Sequence, residues 1–461
     1  MDLSAIDRAG YYPFDEKSEN QPFPNGVGSC EGFRIPGLIR LRNGGLFATT
    51  DARWTDPNSD YGGIDTMYAV SDDNGKTWRH GYAAYFPDSL GTPSDPNATT
   101  TCIDACPVQT TDAVIHIFVN LGPSGVTPGL CDPNPGTGFV TIDGKRRLAL
   151  TDRYAEADNS PDGFGYYVGD AYGGFAPIIK KDAGETGYLI DEFFNIYKKT
   201  SNDPVPLYQP QVDTGKPIVQ NVFYKDSDFH VFNTMHVLHV YTDNAENGWK
   251  WELVTDKIKL ATERAAIVSP GNGIVTKNGA AVLPIYSSAG VSQAFLAIST
   301  DDCRSFVRSP YVPITDDVAW SGEAKPVELP DGQIRLFFRS GTRRICYADF
   351  DPMRNAWGKP VIMPVLVHSE CNFGAMINEN HIYLSHIRGR GDDAHNRARG
   401  RIYDFLLDEN NDMILRDVFM VTESFFSYSV IIPFGRDKAA VLYDTCEHGI
   451  VRLETVAIPE E

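Results

Sequence analysis

The chain has 461 residues, a formal net charge of −20, 42% hydrophobic residues and 22% charged residues. This size permits one large core or two to three ordinary domains. The negative charge disfavours broad contact with nucleic acid or with an anionic membrane. No apolar run approaches the roughly 20 residues that span a bilayer, so membrane insertion is not expected.

The N-terminus, Met-Asp-Leu-Ser-Ala-Ile-Asp-Arg, lacks the basic-then-apolar order of a signal peptide. We therefore expect a cytoplasmic protein if the chain is complete, and a secreted or cell-surface protein if it is a trimmed domain. Eight cysteines are scattered along the chain, and Cys102 and Cys106 are the only close pair. Because no second pair completes a zinc site, we expect reduced, structural thiols.

Short apolar runs separated by Gly, Asn, Asp and Pro dominate the chain, a pattern typical of β-strands and turns. One unit recurs six times, namely an apolar strand, a tight polar turn and a second apolar strand. The copies span residues 38–48, 108–119, 274–283, 327–338, 375–384 and 430–442. Six similar hairpins predict an all-β fold, a six-bladed β-propeller, whose closure leaves few exposed sheet edges. A β-sandwich with long excursions is the alternative.

The hairpins are unevenly spaced, and the longest gap separates the second copy from the third. Gly, Pro, Asp and Tyr dominate residues 122–215, which lie in this gap. A structureless loop of that length would be unusual inside a compact domain. We therefore predict a single domain over residues 1–461, with residues 122–215 forming an insertion between early blades that has a small β-structure of its own.

A second motif, Ser-x-Asp-x-Gly-x-Thr-Trp, occupies residues 71–78. It suits a hairpin turn, because the Asp accepts hydrogen bonds from backbone N–H groups, Gly adopts a left-handed conformation and Trp packs beneath. Residues 299–306 are a degraded copy with Cys303 in the Gly place, and residues 242–249 are a weaker one. The acidic pattern of an EF-hand is missing, so these turns are expected to be structural.

Charged residues and one tyrosine occupy corresponding ends of the hairpins. Starts of first strands and ends of second strands share one side of an antiparallel hairpin. In a closed ring these residues are therefore expected to converge on one mouth. They are Arg34, Glu323 and Tyr428 before first strands, and Asp60, Arg339 and Arg397 at or beyond the ends of second strands.

The chemistry of this set is coherent. Three guanidiniums form a rigid, permanently charged socket for a carboxylate. A tyrosine beside a glutamate is a nucleophile with its base, because a phenol with a pKa near ~10 needs a neighbour to take its proton at neutral pH. A separate aspartate can act as general acid and then as general base. Asp51 and Arg53, at the end of the first hairpin, are expected to line the same site.

Phe-Arg-Ile-Pro at residues 33–36, the turn motif and the ordered set of six residues together resemble the bacterial exo-α-sialidases, or neuraminidases. These are six-bladed propellers with a FRIP motif and Asp boxes. The resemblance covers the chain from about Gly32 to Asp444 and is thin over residues 122–215. It implies a retaining glycoside hydrolase that releases terminal sialic acid from glycoproteins, glycolipids and oligosaccharides, with no metal and no organic cofactor.

The resemblance also implies the binding residues. Arg34, Arg339 and Arg397 match the three arginines that bind the sialic acid carboxylate. Arg397 stands among several other arginines in this sequence. The family usually has Tyr-Glu where this chain has Tyr443-Asp444. The Asp444 carboxylate would steady Arg34 with one methylene less.

The catalytic roles follow in the same way, with Asp60 as acid/base, Glu323 as the base that activates tyrosine, and Tyr428 as nucleophile. Tyrosine nucleophiles set sialidases apart from glycosidases with paired carboxylates. A sialoside bears a carboxylate on its anomeric carbon, so an anionic nucleophile would approach against like charge. A neutral phenol that loses its proton as it attacks avoids this repulsion.

Three alternatives stay open. An intramolecular trans-sialidase would let O7 of the sugar attack in place of water and would release a 2,7-anhydro product. An aromatic side chain that excludes water would favour it, and Trp54, Trp320 and the tyrosines of residues 166–189 are candidates. A catalytically silent propeller would bind sialoglycans without turnover. A hydrolase for another nonulosonic or 2-keto-3-deoxy acid would keep the arginine socket.

Overall fold

Six antiparallel β-units, here called blades, form a ring. The computed structural model describes residues 9–10, 16–60, 62–90, 99–127, 131, 136–154, 163–210, 216–342, 344–363, 371–388, 397–445 and 449–458. Within these ranges, regular structure other than β is limited to one four-residue helix, α1 (Thr255–Ile258), and short 3-10 turns. No described helix has the length and apolar character needed to cross a membrane.

The first blade pairs four strands in chain order, and a fifth strand from the N-terminal side adds to its outer edge. The strands are β1 (Glu16–Glu19) at the edge, then β2 (Gly32–Arg40), β3 (Leu46–Arg53), β4 (Ile64–Ser71) and β5 (Thr77–Ala84). Almost every residue of β2 and β3 is buried. Both faces of the two strands are therefore covered, and the buried residues include the charged Arg34, Asp51 and Arg53.

The second blade is interrupted between its second and third strands. Its inner pair is β6 (Thr101–Gln109) and β7 (Ile115–Gly122). Nine further strands follow: β8 (Phe139–Ile142), β9 (Lys145–Leu150), β10 (Tyr166–Val168), β11 (Phe175–Lys180), β12 (Gly184–Asp191), β13 (Ile196–Lys198), β14 (Val205–Pro206), β15 (Tyr208–Pro210) and β16 (Pro217–Val219). The blade then resumes with β17 (His236–Thr242), which pairs with β7, and β18 (Lys250–Leu253).

The third and fourth blades each carry a divided strand position. In the third blade, β19 (Ala266–Val268) and β20 (Ile274–Val275) both pair with β21 (Ala281–Ala289), which is followed by β22 (Val291–Ser299) and β23 (Val307–Arg308). The fourth blade contains β24 (Ser321–Glu328), β25 (Ile334–Ser340) and β26 (Ile345–Asp351), with β27 (Ala356–Trp357) and β28 (Val361–Ile362) both pairing with β26.

The last two blades are simpler. The fifth contains β29 (Gly374–Asn378), β30 (His381–Ile387), β31 (Gly400–Leu407) and β32 (Met413–Met420). The sixth contains β33 (Ser429–Pro433), β34 (Lys438–Asp444) and β35 (Val451–Ala457).

The first strands of the six blades contact one another in a closed circle. β2 contacts β6, β6 contacts β19 and β20, β20 contacts β24, β24 contacts β29, β29 contacts β33, and β33 returns to β2. This closure confirms the predicted six-bladed propeller. Each of the six hairpins predicted from the sequence forms the first two strands of one blade.

In the chain, the nine strands β8–β16 come between β7 and β17 of the second blade. The sequence had indicated an insertion between early blades, not within one. β8 to β14 form one seven-stranded sheet, and β15 pairs with β16. Apolar residues of this sheet, such as Leu150 and Ile178, share one core cluster with Val119 of β7 and Trp251 of β18. The sheet therefore packs against the blade from which it departs.

The turn at residues 71–78 has the predicted hydrogen bonds. The Asp73 carboxylate accepts from the backbone N–H and hydroxyl of Thr77, and the Ser71 hydroxyl accepts from Gly75 N–H at 2.8 Å. Trp78 is buried and donates its ring N–H to the Gly75 carbonyl at 3.0 Å. The turn therefore joins β4 to β5 with its polar groups satisfied.

The degraded copy at residues 299–306 repeats this arrangement. Asp301 accepts from the backbone N–H and hydroxyl of Ser305. Ser299 accepts from Cys303 N–H at 2.9 Å, and Cys303 adopts a φ of +63° in the place of glycine. The left-handed conformation of Cys303 persists without glycine because hydrogen bonds from backbone N–H groups to the side chains of Ser299 and Asp301 hold the turn.

Candidate active site

Three first strands carry β-bulges at the same end of the ring. The pairing register shifts between Arg34 and Gly37 in β2, between Ile103 and Cys106 in β6, and between Ser321 and Ala324 in β24. A bulge leaves one extra residue unpaired and redirects neighbouring side chains. Bulges therefore accompany the positions of Arg34, Asp104 and Glu323 at the mouth of the propeller.

Two of these bulges contain left-handed residues that are not glycine. Ile35 has a φ of +57° and Asp104 a φ of +66°. A β-branched residue with positive φ is a genuine backbone outlier, and such conformations cost on the order of 1–3 kcal/mol. The surrounding fold must therefore hold Ile35 in place, immediately after Arg34.

Tyr428, Glu323 and Arg339 form one hydrogen-bonded group across the mouth. The Tyr428 hydroxyl donates to Glu323 Oε1 at 3.0 Å, and an Arg339 terminal nitrogen lies 2.7 Å from Glu323 Oε2. The same nitrogen lies 3.4 Å from the Tyr428 oxygen. Residues separated by 105 positions in the chain are thus in direct contact.

The pKa of the Tyr428 phenol is raised well above its ordinary value. Burial among the neighbouring side chains is the main cause, and the Glu323 carboxylate adds to the rise. The guanidiniums of Arg339 and Arg397 act in the opposite direction, because positive charge favours the phenolate. In this arrangement the free protein holds Tyr428 as a neutral phenol with an acceptor for its proton.

Arg34 and Arg397 lie on the ring of Tyr428. Their guanidinium carbons are 5.8 Å and 5.6 Å from its centroid. Arg34 is 6% exposed, and its Nε donates to Asp444 Oδ2 at 2.6 Å. The shorter aspartate therefore reaches Arg34 without the extra methylene of glutamate. Together with Arg339, three guanidiniums surround Tyr428.

Two arginines near Arg397 in sequence pair with a different carboxylate. Arg401 is buried and pairs with the Glu423 carboxylate, and Arg399 Nε lies 3.8 Å from the same carboxylate. Arg388 is exposed, and Arg390 lies outside the described residues. Among the arginines of this group that the structure describes, Arg397 is the one whose guanidinium lies over the Tyr428 ring.

Arg53 links the other two predicted carboxylates. Its side chain is 1% exposed, and one terminal nitrogen lies 3.2 Å from Asp51 Oδ2 and 2.9 Å from Asp60 Oδ1. The other terminal nitrogen donates to the Ser59 carbonyl at 2.5 Å. Burial raises the pKa of Asp51 to about 7 against the lowering effect of Arg53, whereas the Asp60 side chain is 67% exposed. Arg53 thus fixes a buried carboxyl group and an exposed one.

The sequence analysis missed Asp104, which belongs to the same charge cluster. Its backbone N–H donates to Asp51 Oδ1 at 3.1 Å, and Asn120 Nδ2 lies 3.4 Å from its carboxylate. Burial raises the pKa of Asp104 well above its usual range, and Asp51, Glu323 and Asp60 add to the rise. A positional signal was present, because Asp104 precedes its hairpin by the same four residues as Arg34 and Glu323 precede theirs.

The predicted aromatic candidates differ in position. Trp54 is buried, stacks on Tyr82 with centroids 6.0 Å apart, and donates to Asp65 at 2.8 Å, so it belongs to the core of the first blade. Trp320 lies against Gly322 and Gly341, where an added Cβ would approach its ring within 3.1 and 2.7 Å. These two glycines flank Glu323 and Arg339 in sequence, which places Trp320 beside the mouth.

Tyr166 and Tyr188, from the inserted sheet, both pack on Phe229, with centroids 5.1 and 5.3 Å away. Their rings therefore contribute to packing within and around that sheet. Among the described residues, no group of three or more His, Cys, Asp or Glu side chains has an arrangement that could hold a metal ion. The seven cysteines in the described ranges are free thiols.

No family model matches the sequence. The chain is 26% identical over 356 residues to an anhydrosialidase of Macrobdella decora, an alignment that covers 71% of this chain and 45% of that protein. It is also 26% identical over 331 residues to Sialidase B of Streptococcus pneumoniae, covering 67% of this chain and 45% of that protein. The alignments thus span less than half the length of either relative.

Solved structures support the fold. The intramolecular trans-sialidase from Ruminococcus gnavus, in complex with oseltamivir carboxylate, matches with a TM-score of 0.78 at 22% identity, over 95% of this chain and 96% of that one. The leech intramolecular trans-sialidase, complexed with 2,7-anhydro-Neu5Ac, matches with a TM-score of 0.80 at 20% identity, over 97% and 70%. The chain is therefore similar in sequence to sialidases and has the propeller fold of intramolecular trans-sialidases.

Proposed function

We propose that this protein is a glycosidase of the sialidase type, which cleaves terminal α-linked sialic acid from sialylated glycans through Tyr428. The hydrogen bond from the Tyr428 hydroxyl to Glu323, with Arg339 bound to both residues, carries the proposal. In this contact the phenol lies beside a carboxylate, which can act as its base, and beside a permanent positive charge. The sequence similarity to an anhydrosialidase and to Sialidase B supports the substrate class.

The arginines account for recognition of an acidic sugar. Arg34, Arg339 and Arg397 surround Tyr428, so a carboxylate held by their guanidiniums would carry its anomeric carbon toward the phenol. Guanidinium forks match the geometry of a carboxylate and remain charged at any physiological pH. This cluster binds an anion even though the chain as a whole carries a net charge of −20.

Cleavage then requires two proton transfers. As the Tyr428 oxygen forms a bond to the anomeric carbon, its proton moves to Glu323 and the bond to the leaving oxygen breaks. Asp60, whose side chain is exposed and lies 2.9 Å from Arg53, gives its proton to that oxygen. The product of this step is a glycosyl-tyrosine. In the second step the attacking hydroxyl group gives its proton to Asp60 as its oxygen bonds to the anomeric carbon. The bond to the Tyr428 oxygen breaks, and Glu323 returns its proton to that oxygen. Two displacements at the same carbon give retention of configuration.

The nucleophile in the second step defines two products. Attack by water gives free sialic acid, which makes the protein a retaining exo-sialidase. Attack by O7 of the same sugar gives 2,7-anhydro-sialic acid, and the named activities of the leech and Ruminococcus gnavus structures favour this second candidate. Both candidates use the same site residues and differ only in access of water to the glycosyl-tyrosine.

The test is proton NMR of 3′-sialyllactose incubated with wild type, Tyr428→Phe and Tyr403→Phe. Tyr403 is a tyrosine of the fifth blade with a buried ring and serves as the control. Wild type and Tyr403→Phe should release lactose, whereas Tyr428→Phe should lose nearly all activity. Early α-sialic acid identifies the hydrolase, and a 2,7-anhydro product identifies the intramolecular transferase. Absence of turnover by wild type on 3′- and 6′-linked sialosides would refute the proposal and favour a sialoglycan-binding propeller or a different acidic sugar.

A further inference from the structure

The weakest copy of the turn motif, residues 242–249, is open where the other copies are closed. A 3-10 turn (Ala245–Asn247) replaces the tight turn, and the Thr242 hydroxyl donates to the Asn244 carbonyl at 2.7 Å. Asn244 stands at the position of Asp73 in this copy, and the exposed Asp243 stands at the position of Asp72. This copy therefore lacks the carboxylate that closes an intact turn, and the neighbouring Asp243 carboxylate lies at the surface.

A cavity of about 470 Å³ lies beside this open turn. It is bounded by the ends of β17 and β18 and by Phe193, which follows β12 of the inserted sheet. This volume falls within the range of about 300–1,000 Å³ that is typical of small-molecule sites. The cavity lies at the outer strands of the second blade and shares no lining residue with the group around Tyr428.

Aromatic rings on the cavity wall are held from behind. The Trp249 ring makes an edge contact with Tyr68, with centroids 5.0 Å apart. The Tyr241 ring stacks on His239 at 4.8 Å. Trp249 and Tyr241 are both only partly buried, so each ring combines a fixed position with exposed surface. Rings of this kind bind ligands at low cost in conformational entropy.

Exposed polar side chains surround the rings. Asp243 and Glu192 supply carboxylate acceptors, Asn247 supplies an amide that both donates and accepts, and Lys250 supplies an ammonium group. Pairs of such groups match the adjacent hydroxyls of a sugar, while aromatic rings cover its C–H surface. The two carboxylates and the net charge of −20 disfavour an anionic ligand.

We propose that this cavity is a second carbohydrate site, which takes a neutral pyranose. Trp249 and Tyr241 contact the apolar surface of the ring, and Asp243 and Asn247 bind its hydroxyls. If the proposed function holds, the occupant is the neutral part of a sialoglycan, whose acidic sugar belongs to the arginine cluster. The site would then retain the glycan near the protein between cleavage events.

The test is isothermal titration calorimetry of the protein with lactose and with N-acetyllactosamine, two disaccharides that carry no sialic acid. Wild type should bind at millimolar concentration, and the double variant Asp243→Ala/Asn247→Ala should lose at least about tenfold in affinity, as expected for lost hydrogen bonds to a charged group. Asp317→Ala removes an exposed carboxylate elsewhere and should bind like wild type. Arg397→Gln perturbs the arginine cluster and should also bind lactose normally.

Two results would overturn the inference. One is the absence of wild-type binding to either disaccharide at tens of millimolar. The other is that the double variant binds the disaccharides as tightly as wild type does. If Arg397→Gln then abolishes lactose binding, lactose occupies the arginine cluster and not this cavity. Because the readout is binding of asialo sugars, a protein without sialoside cleavage could still pass this test. Failure of the proposed function and failure of this inference are therefore distinguishable.

Discussion

Replacement of Glu323 by glutamine tests the central contact of the proposed mechanism. The carboxylate accepts from Tyr428 at 3.0 Å and lies 2.7 Å from an Arg339 nitrogen. Glutamine keeps the shape and one acceptor oxygen, but it removes the charge and the base. General base catalysis contributes roughly 10²–10⁴-fold, so kcat should fall by that factor, about 3–5 kcal/mol in activation free energy. KM should change little, because the three arginines remain.

The pH dependence of this variant should also change in a defined direction. The Glu323 carboxylate raises the pKa of Tyr428, whereas Arg339 and Arg397 lower it. Loss of the carboxylate therefore lowers the phenol pKa relative to wild type. Residual activity of Glu323→Gln should rise with pH, because the phenolate that the missing base no longer generates then forms by ionisation alone.

The assay is steady-state hydrolysis of a fluorogenic aryl α-sialoside between about pH 5 and pH 9, where the acid–base groups of such sites titrate. Glu328→Gln is the matched control, since Glu328 lies on the same strand, β24, but outside the mouth, where it accepts from Lys277 N–H. Unchanged kcat and an unchanged pH profile in Glu323→Gln would refute the reasoning. An equal loss in Glu328→Gln would show that the effect is structural.

Two further predictions concern buried carboxyl groups. Asp444→Ala should raise KM and lower the free energy of unfolding by about 3–5 kcal/mol, because it leaves the buried Arg34 guanidinium without the carboxylate 2.6 Å away. Asp444→Glu should restore most of the substrate affinity, measured by steady-state kinetics, and most of the stability, measured by urea denaturation. An unaltered KM in the alanine variant would contradict the role of the pair. Burial raises the pKa of Asp88 to about 7, above its ordinary value of 3.8. The folded state therefore binds this proton more tightly than the unfolded chain, so stability is full below about pH 4 and falls as pH rises through 7, by about 4 kcal/mol at most. Asp88→Asn should flatten this dependence in urea titrations between those pH values, and an identical slope would contradict it.

The hairpins were predictable because their information is local. Apolar strands around turns such as Asn43-Gly44-Gly45 specify both the strands and their pairing within a few residues. The repeat of this unit then indicated the blade number, and closure of the ring confirmed it. The place of the inserted sheet was harder to predict from the sequence, because strand β17 pairs with β7 across more than a hundred residues.

The candidate site was predictable from position within the repeat. Arg34 and Glu323 each precede a hairpin by four residues, and Tyr428 precedes the last one by two. The same rule applied to the second hairpin would have identified Asp104. Trp54 shows the limit of this approach, because the adjacent Arg53 contacts Asp51 and Asp60 while the Trp54 ring packs into the first blade.

The sequence by itself therefore determined the all-β character, the six hairpins and the end of the hairpins at which the candidate site residues stand, since strand alternation and turn residues act over short distances. Only the tertiary structure decided the contacts between those groups. Arg34 meets Asp444 across 410 positions, which requires the first and last blades to be neighbours. Burial was likewise set by the closed ring, and it is burial that raises the pKa values of Tyr428, Asp104 and Asp51.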